Sequence, residues 1–123
     1  MSKLCEIIQE DGYTRIIFYR SPSLEESKAC VDLLVKEELY IRRLWDMSRI
    51  DYSLTTDEIM QVAKYGKQQF SKPNVGVFWH VKDLGFANLR QLFAFRDSPN
   101  AHVMVYRDEA DAIKWVTETP LED

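Results

Sequence analysis

Asn88-Leu89-Arg90-Gln91-Leu92-Phe93, a polar gap, and then Ala101-His102-Val103-Met104-Val105-Tyr106-Arg107-Asp108-Glu109-Ala110-Asp111-Ala112-Ile113 carry the reading of the fold. The first stretch reads as helix, and Asp97-Ser98-Pro99-Asn100 as a turn. Ala101 to Tyr106 is a short apolar strand. An acidic cap then opens a closing helix from Asp108 to Thr117. A strand fed by one helix and followed by another is the unit of an α/β sheet.

Working outward, the rest of the chain has the same grain. Val75 to Val81 is nearly all apolar, as expected for a strand buried on both faces. Asp83 is placed to cap a helix running to about Phe95. Pro73-Asn74 breaks an earlier helix that opens with the capping box Thr55/Glu58. Its apolar stripe is Ile59, Val62, Ala63, Gly66 and Phe70. Tyr40 to Met47 is a strand of mixed polarity ending in Trp45-Asp46. Ser23 with Glu26 is a second capping box, and it opens a helix whose stripe is Cys30, Val31, Leu34 and Val35. Tyr13 to Tyr19 and Leu4 to Gln9 are strands separated by Glu10-Asp11-Gly12. The order is β-β-α-β-α-β-α-β-α, and it predicts a five-stranded, mostly parallel sheet covered by helices with right-handed crossovers. No repeat or linker interrupts residues 1–123, which read as one domain.

Leu89 to Trp115 resembles the closing segment of STAS domains, the fold of the anti-sigma-factor antagonists. Ala110 to Val116 is most similar to the SpoIIAA-like branch, and Leu44-Trp45-Asp46-Met47-Ser48 looks like that family's strand ending in Asp-Leu-Ser. The resemblance implies a sheet order of 1-3-2-4-5, with the first strand antiparallel at an edge. The Asp-Gly turn taken alone predicts instead a direct hairpin of the first two strands. The resemblance also implies a loop after the third strand that carries a phosphorylated serine. Thr55-Thr56 stand over the family's two serines, Leu54 replaces its Asp and Asp57 its Gly. A phosphate on Thr56 would meet repulsion from Asp57 and Glu58, and Thr55 reads first as an N-cap.

Composition narrows the function. The 123 residues are 46% hydrophobic and 29% charged, with formal net charge -4, which argues against a nucleic-acid module. No apolar run reaches the about 18 residues that span a bilayer. Met1-Ser2-Lys3-Leu4-Cys5-Glu6 meets an acid too early for a signal peptide. Cys5 and Cys30 read as free thiols on a strand and a helix, which points to a reducing cytoplasm. His80 and His102 form no metal-ligand spacing. The chain has no nucleophile elbow, Gly-rich phosphate loop or HExxH, so neither a cofactor nor enzyme activity is expected.

Three sets of residues remain as candidates. Ser53, Thr55 and Thr56 form the phosphoacceptor or interaction loop. Arg20, Asp46, His80 and Arg107 stand at strand ends, where open α/β sheets bind ligands, and could hold a small anion. Phe86, Leu89 and Phe93 give the third helix more apolar surface than one packed face needs, which suits a homodimer contact or a greasy ligand. The leading expectation is a cytoplasmic, non-catalytic regulatory or protein-interaction module docking through Ser53 to Glu58. Two readings stay open beside it: a module for a small hydrophobic ligand or lipid, and an enzyme using the strand-end cluster.

Overall fold

The computed structural model describes residues 3–80 and 101–121. The chain begins with β1 (Cys5–Glu10) and β2 (Tyr13–Phe18), paired antiparallel from Glu10↔Tyr13 to Cys5↔Phe18. Asp11-Gly12 is the whole connection. Of the two residues only Gly12 takes a positive φ, of 87°, where a Cβ would be strained. A two-residue turn folds a strand directly onto its neighbour. The sheet order is therefore β1-β2-β3-β4-β5, and the expected 1-3-2-4-5 is corrected. The local turn chemistry decided the pairing.

From β2 to β4 the chain alternates strand and helix. It runs through α1 (Leu24–Lys36), β3 (Arg42–Asp46), α2 (Thr56–Gln69) and β4 (Asn74–Trp79), then β5 (Ala101–Tyr106) and α3 (Glu109–Glu118). The strands β2 to β5 are parallel, each paired with the next in sequence. The helix expected from Asp83 to about Phe95, and the turn at Asp97–Asn100, lie outside the described residues. Both predicted capping boxes form. Ser23 accepts from the Glu26 amide while Glu26 accepts from the Ser23 amide, and Thr55 and Glu58 do the same. Each box satisfies two backbone donors that a helix start leaves open.

The pleat sorts side chains into two cores. On one face α1 and α2 lie over Ile16, Phe18, Trp45, Phe78 and Val103, and contribute Cys30, Val31, Leu34, Ile59 and Ala63. Phe18, Trp45 and Phe78 stack across three strands, with ring centroids 6.1 and 5.8 Å apart. On the other face α3 lays Ala112 and Val116 over Leu44, Val75 and Val77. The lone cation of β3 on the first face, Arg43, is buried. Its Nη1 donates to the Tyr40 carbonyl at 2.9 Å and to Asn74 Oδ1 at 2.8 Å, and its guanidinium lies 4.5 Å over the Phe70 ring.

Candidate functional site

Parallel register sets the carboxyl ends of β2 to β5 at one end of the sheet, so Arg20, Asp46, His80 and Arg107 share that end. They do not converge. Asp46 follows Leu44 by two residues and lies on the face that α3 covers. Its Oδ1 accepts from the Ser48 amide at 3.2 Å and the Ser48 hydroxyl at 2.7 Å. Its Oδ2 accepts from Arg15 at 3.1 Å and from Arg49 at 3.4 Å. Arg15 also donates to Glu109 Oε2 at 3.1 Å and to the Tyr13 hydroxyl at 3.3 Å. The result is a clasp that joins β2, β3 and the start of α3. Burial opposes the charge on Arg15, yet the Tyr13 hydroxyl and the two carboxylates outweigh it and hold the guanidinium protonated.

His80 belongs to the opposite face. It is buried, with Nε2 2.6 Å from the carbonyl of Ile50, a residue of the α1/α2 core. A carbonyl only accepts, so Nε2 carries the proton of this bond. Arg20 is exposed and grips Glu26 with both nitrogens, at 3.0 and 2.6 Å. Arg107 is exposed, and its carbonyl accepts from the Trp79 indole at 3.1 Å. Thus the strand-end set divides into a clasp, a buried imidazole and a helix-cap brace.

The Arg20 brace has a consequence for acid stability. Arg20 and the Ser23 backbone amide hold the Glu26 carboxyl down at about 2, from an ordinary 4.5. A depressed carboxylate contributes stability that is present above its ordinary pKa and lost as pH falls through the folded value. The α1 cap is therefore expected to open between pH 4.5 and about 2. A carbon-detected titration of the Glu26 carboxyl checks this, and a midpoint at the ordinary value would refute it.

The loop between β3 and α2 covers the α1/α2 end of the sheet. Met47, Ile50, Tyr52 and Leu54 are buried in it, while Ser53, Thr55, Thr56 and Asp57 are exposed. Burial, with Glu58 nearby, pushes the Tyr52 phenol up, so it stays neutral. The Ser53 amide donates to Ser21 Oγ at 3.3 Å, and the two hydroxyls lie 3.2 Å apart. Buried and exposed residues thus alternate into a ridge pinned from below and from the β2–α1 turn. Thr55 is committed to its cap at 3.2 Å from the Glu58 amide, and Thr56 is the first residue of α2, with its side chain exposed.

A partly open, mainly apolar cavity of about 40 Å³ lies beneath, lined among others by Phe18, Cys30, Trp45, Tyr52, Phe70 and Phe78. Ligand pockets typically run to roughly 300 Å³ or more, so this space is too small for one. Phe86, Leu89 and Phe93 lie outside the described residues. Among the described residues no three His, Cys, Asp or Glu side chains are grouped to hold a metal, and no helix is long and apolar enough to cross a membrane.

Sequence reasoning missed Arg15, Glu109 and Arg43. The available signal was a single cation inside Tyr13-Thr14-Arg15-Ile16-Ile17-Phe18: a charge in a buried strand needs a partner. No protein-family model, curated protein or solved structure matches this chain.

Proposed function

We propose that the chain is a cytoplasmic, non-catalytic protein-interaction module of STAS-like type, which docks a signalling partner through Ser53 to Glu58. The observation that carries this reading is the ridge. Its tips Ser53, Thr55, Thr56 and Asp57 are exposed, while Tyr52, Leu54 and Ile59 anchor it in the core. A surface held rigid before binding loses little conformational freedom on binding. From β1 to β4 the order β-β-α-β-α-β also agrees with the resemblance, although the sheet order found is 1-2-3-4-5. Docking here does not depend on a phosphate, because Thr55 is used by its cap and Asp57 and Glu58 flank Thr56 with negative charge. The apolar-ligand reading turns on Phe86, Leu89 and Phe93, which lie outside the described residues. The division of Asp46 and His80 between opposite faces weighs against an enzyme at the strand ends.

The test compares Thr56→Arg and Asp57→Arg with Lys114→Glu, an exposed control on α3. Each tagged chain is used to recover proteins from cells of its source. A partner held by the unaltered chain and the control should drop about tenfold or more with either ridge variant, the effect of losing one hot-spot contact. Recovery that no ridge substitution alters would sink the proposal. Mass spectrometry of the recovered chain reports at the same time whether Ser53, Thr55 or Thr56 is phosphorylated.

A further inference from the structure

The sheet order ends at β1, and among the described residues only β2 pairs with it. The Tyr19 amide donates to the Leu4 carbonyl at 2.9 Å, so Leu4 turns its backbone groups toward β2. Alternation along the strand turns those of Glu6, Ile8 and Glu10 the same way, and those of Lys3, Cys5, Ile7 and Gln9 outward. Neither a proline nor a bulge guards this edge, since the register is unbroken from Cys5↔Phe18 to Glu10↔Tyr13. The flank of α1 above it carries an exposed leucine. α1 joins β2 to β3 and α2 joins β3 to β4, so α1 is the helix nearer β1. Asp32 accepts from the Tyr65 hydroxyl and Lys28 lies over the Tyr65 ring, which marks the flank of α1 that meets α2. Leu33 falls on the other flank and is 43% exposed.

We propose that β1 is a self-association edge, on which a second copy of this chain lays its own β1 antiparallel, Ile7 opposite Ile7, so that one sheet runs through both copies. A two-fold axis perpendicular to the sheet gives the antiparallel direction and keeps both α1 helices on one face. Bond phase and charge then choose the register. Outward residues pair with outward residues, which leaves Ile7 opposite Cys5, Ile7 or Gln9 if the strands overlap for most of their length. The first choice sets Glu6 against Glu6, and the last sets Glu6 against Glu10. Both place like charges at the closest cross-strand positions, which is destabilising.

Ile7 opposite Ile7 sets Glu6 beside Ile8 instead, and brings Lys3 to Asp11 of the second copy at each end of the seam. The Lys3 side chain is 62% exposed, its contact with Glu6 is a long 3.9 Å, and Asp11 is exposed, so both groups are open to this pairing. The two outer flanks of α1, with Leu33, face each other above the seam. Residues 53–58 take no part, so self-association stands or falls separately from docking at the ridge.

The experiment sediments the full chain from about 10 μM to about 1 mM, the range of a small, transient interface. The mass should rise from that of one chain toward that of two. Lys3→Glu, at an exposed position, turns both end pairs repulsive and should weaken the dimer about fivefold or more. Adding Asp11→Lys to it reverses both pairs and should restore the affinity. Gln9→Pro removes an outward donor and leaves the bonds to β2 whole, so it should weaken the dimer about tenfold or more. Amide exchange at Cys5, Ile7 and Gln9 should slow as concentration rises, while Glu6 and Ile8 are protected throughout by β2. A chain that stays monomeric at about 1 mM would overturn the proposal. So would a dimer that neither Lys3→Glu nor Gln9→Pro weakens, because it would then form through another surface.

Discussion

Gly76→Ala is expected to destabilise the fold by about 3 kcal/mol, although it adds a single methyl group. Gly76 sits on β4 directly opposite Arg43 of β3. A Cβ at this position would lie 2.7 Å from both Cζ and Nη2 of Arg43 and 3.1 Å from Nε. An exposed arginine would swing aside, but this one is 1% exposed and held at Tyr40, Asn74 and Phe70. Overpacking a core costs about 1–3 kcal/mol, and each displaced hydrogen bond to a charged group adds about 1.5–3. Replacing a strand glycine returns only about 0.5–1 kcal/mol of backbone entropy, so the clash wins. Urea unfolding measures the loss as a lower midpoint at unchanged slope.

The same geometry predicts a rescue. Methionine at Arg43 is flexible and uncharged, so Arg43→Met in the Gly76→Ala background removes the clashing guanidinium. Arg43→Met alone costs stability, because the Tyr40 carbonyl and Asn74 Oδ1 each lose a donor. The two changes together should therefore cost less than their sum, with a coupling of about 1–3 kcal/mol. Strictly additive effects would show that Gly76 does not serve Arg43.

The reach of the sequence follows from how local each determinant is. Both helix starts were legible, because Ser23/Glu26 and Thr55/Glu58 complete their hydrogen bonds within four residues. The hairpin was legible too, since Asp11-Gly12 is sufficient for it. The misplaced strand order came from letting a distant resemblance override that turn. Arg43 was not legible: a cation in a strand of mixed polarity reads as facing solvent. Its burial depends on space at Gly76 and an acceptor at Asn74, both on another strand. Asp46 was found as a residue but given the wrong surroundings. Its partner Arg15, and Glu109 that shares that guanidinium, are 31 and 63 positions away, and only the tertiary fold brings them together. The alternation of Tyr52, Ser53 and Leu54 was visible as residues, but the sequence could not show that it forms a pinned ridge.

Asp46→Ala is expected to cost about 3 kcal/mol, and the sign of the change decides between two roles for this carboxylate. Asp46 is 2% exposed and accepts four hydrogen bonds, two of them from arginines. Breaking a buried pair by removing one partner costs about 3–5 kcal/mol, because it strands a buried charge. The lower end applies here: Arg15 keeps Glu109, and the Arg49 side chain is 52% exposed and can turn to water. Asp46→Asn keeps an oxygen for Ser48 but sets an NH2 donor where Oδ2 accepts from Arg15 and Arg49, so it saves only the Ser48 bonds and should cost somewhat less than Ala. Residues assembled for catalysis behave in the opposite way: their convergence is a strain on the fold, and replacing them tends to stabilise it. Thermal unfolding at neutral pH separates the cases. A loss graded Ala over Asn, roughly 10 °C for the larger, fits a clasp that fixes α3 on the sheet. A gain in melting temperature from either substitution would return Asp46 to the list of functional carboxylates and reopen the strand ends as a site.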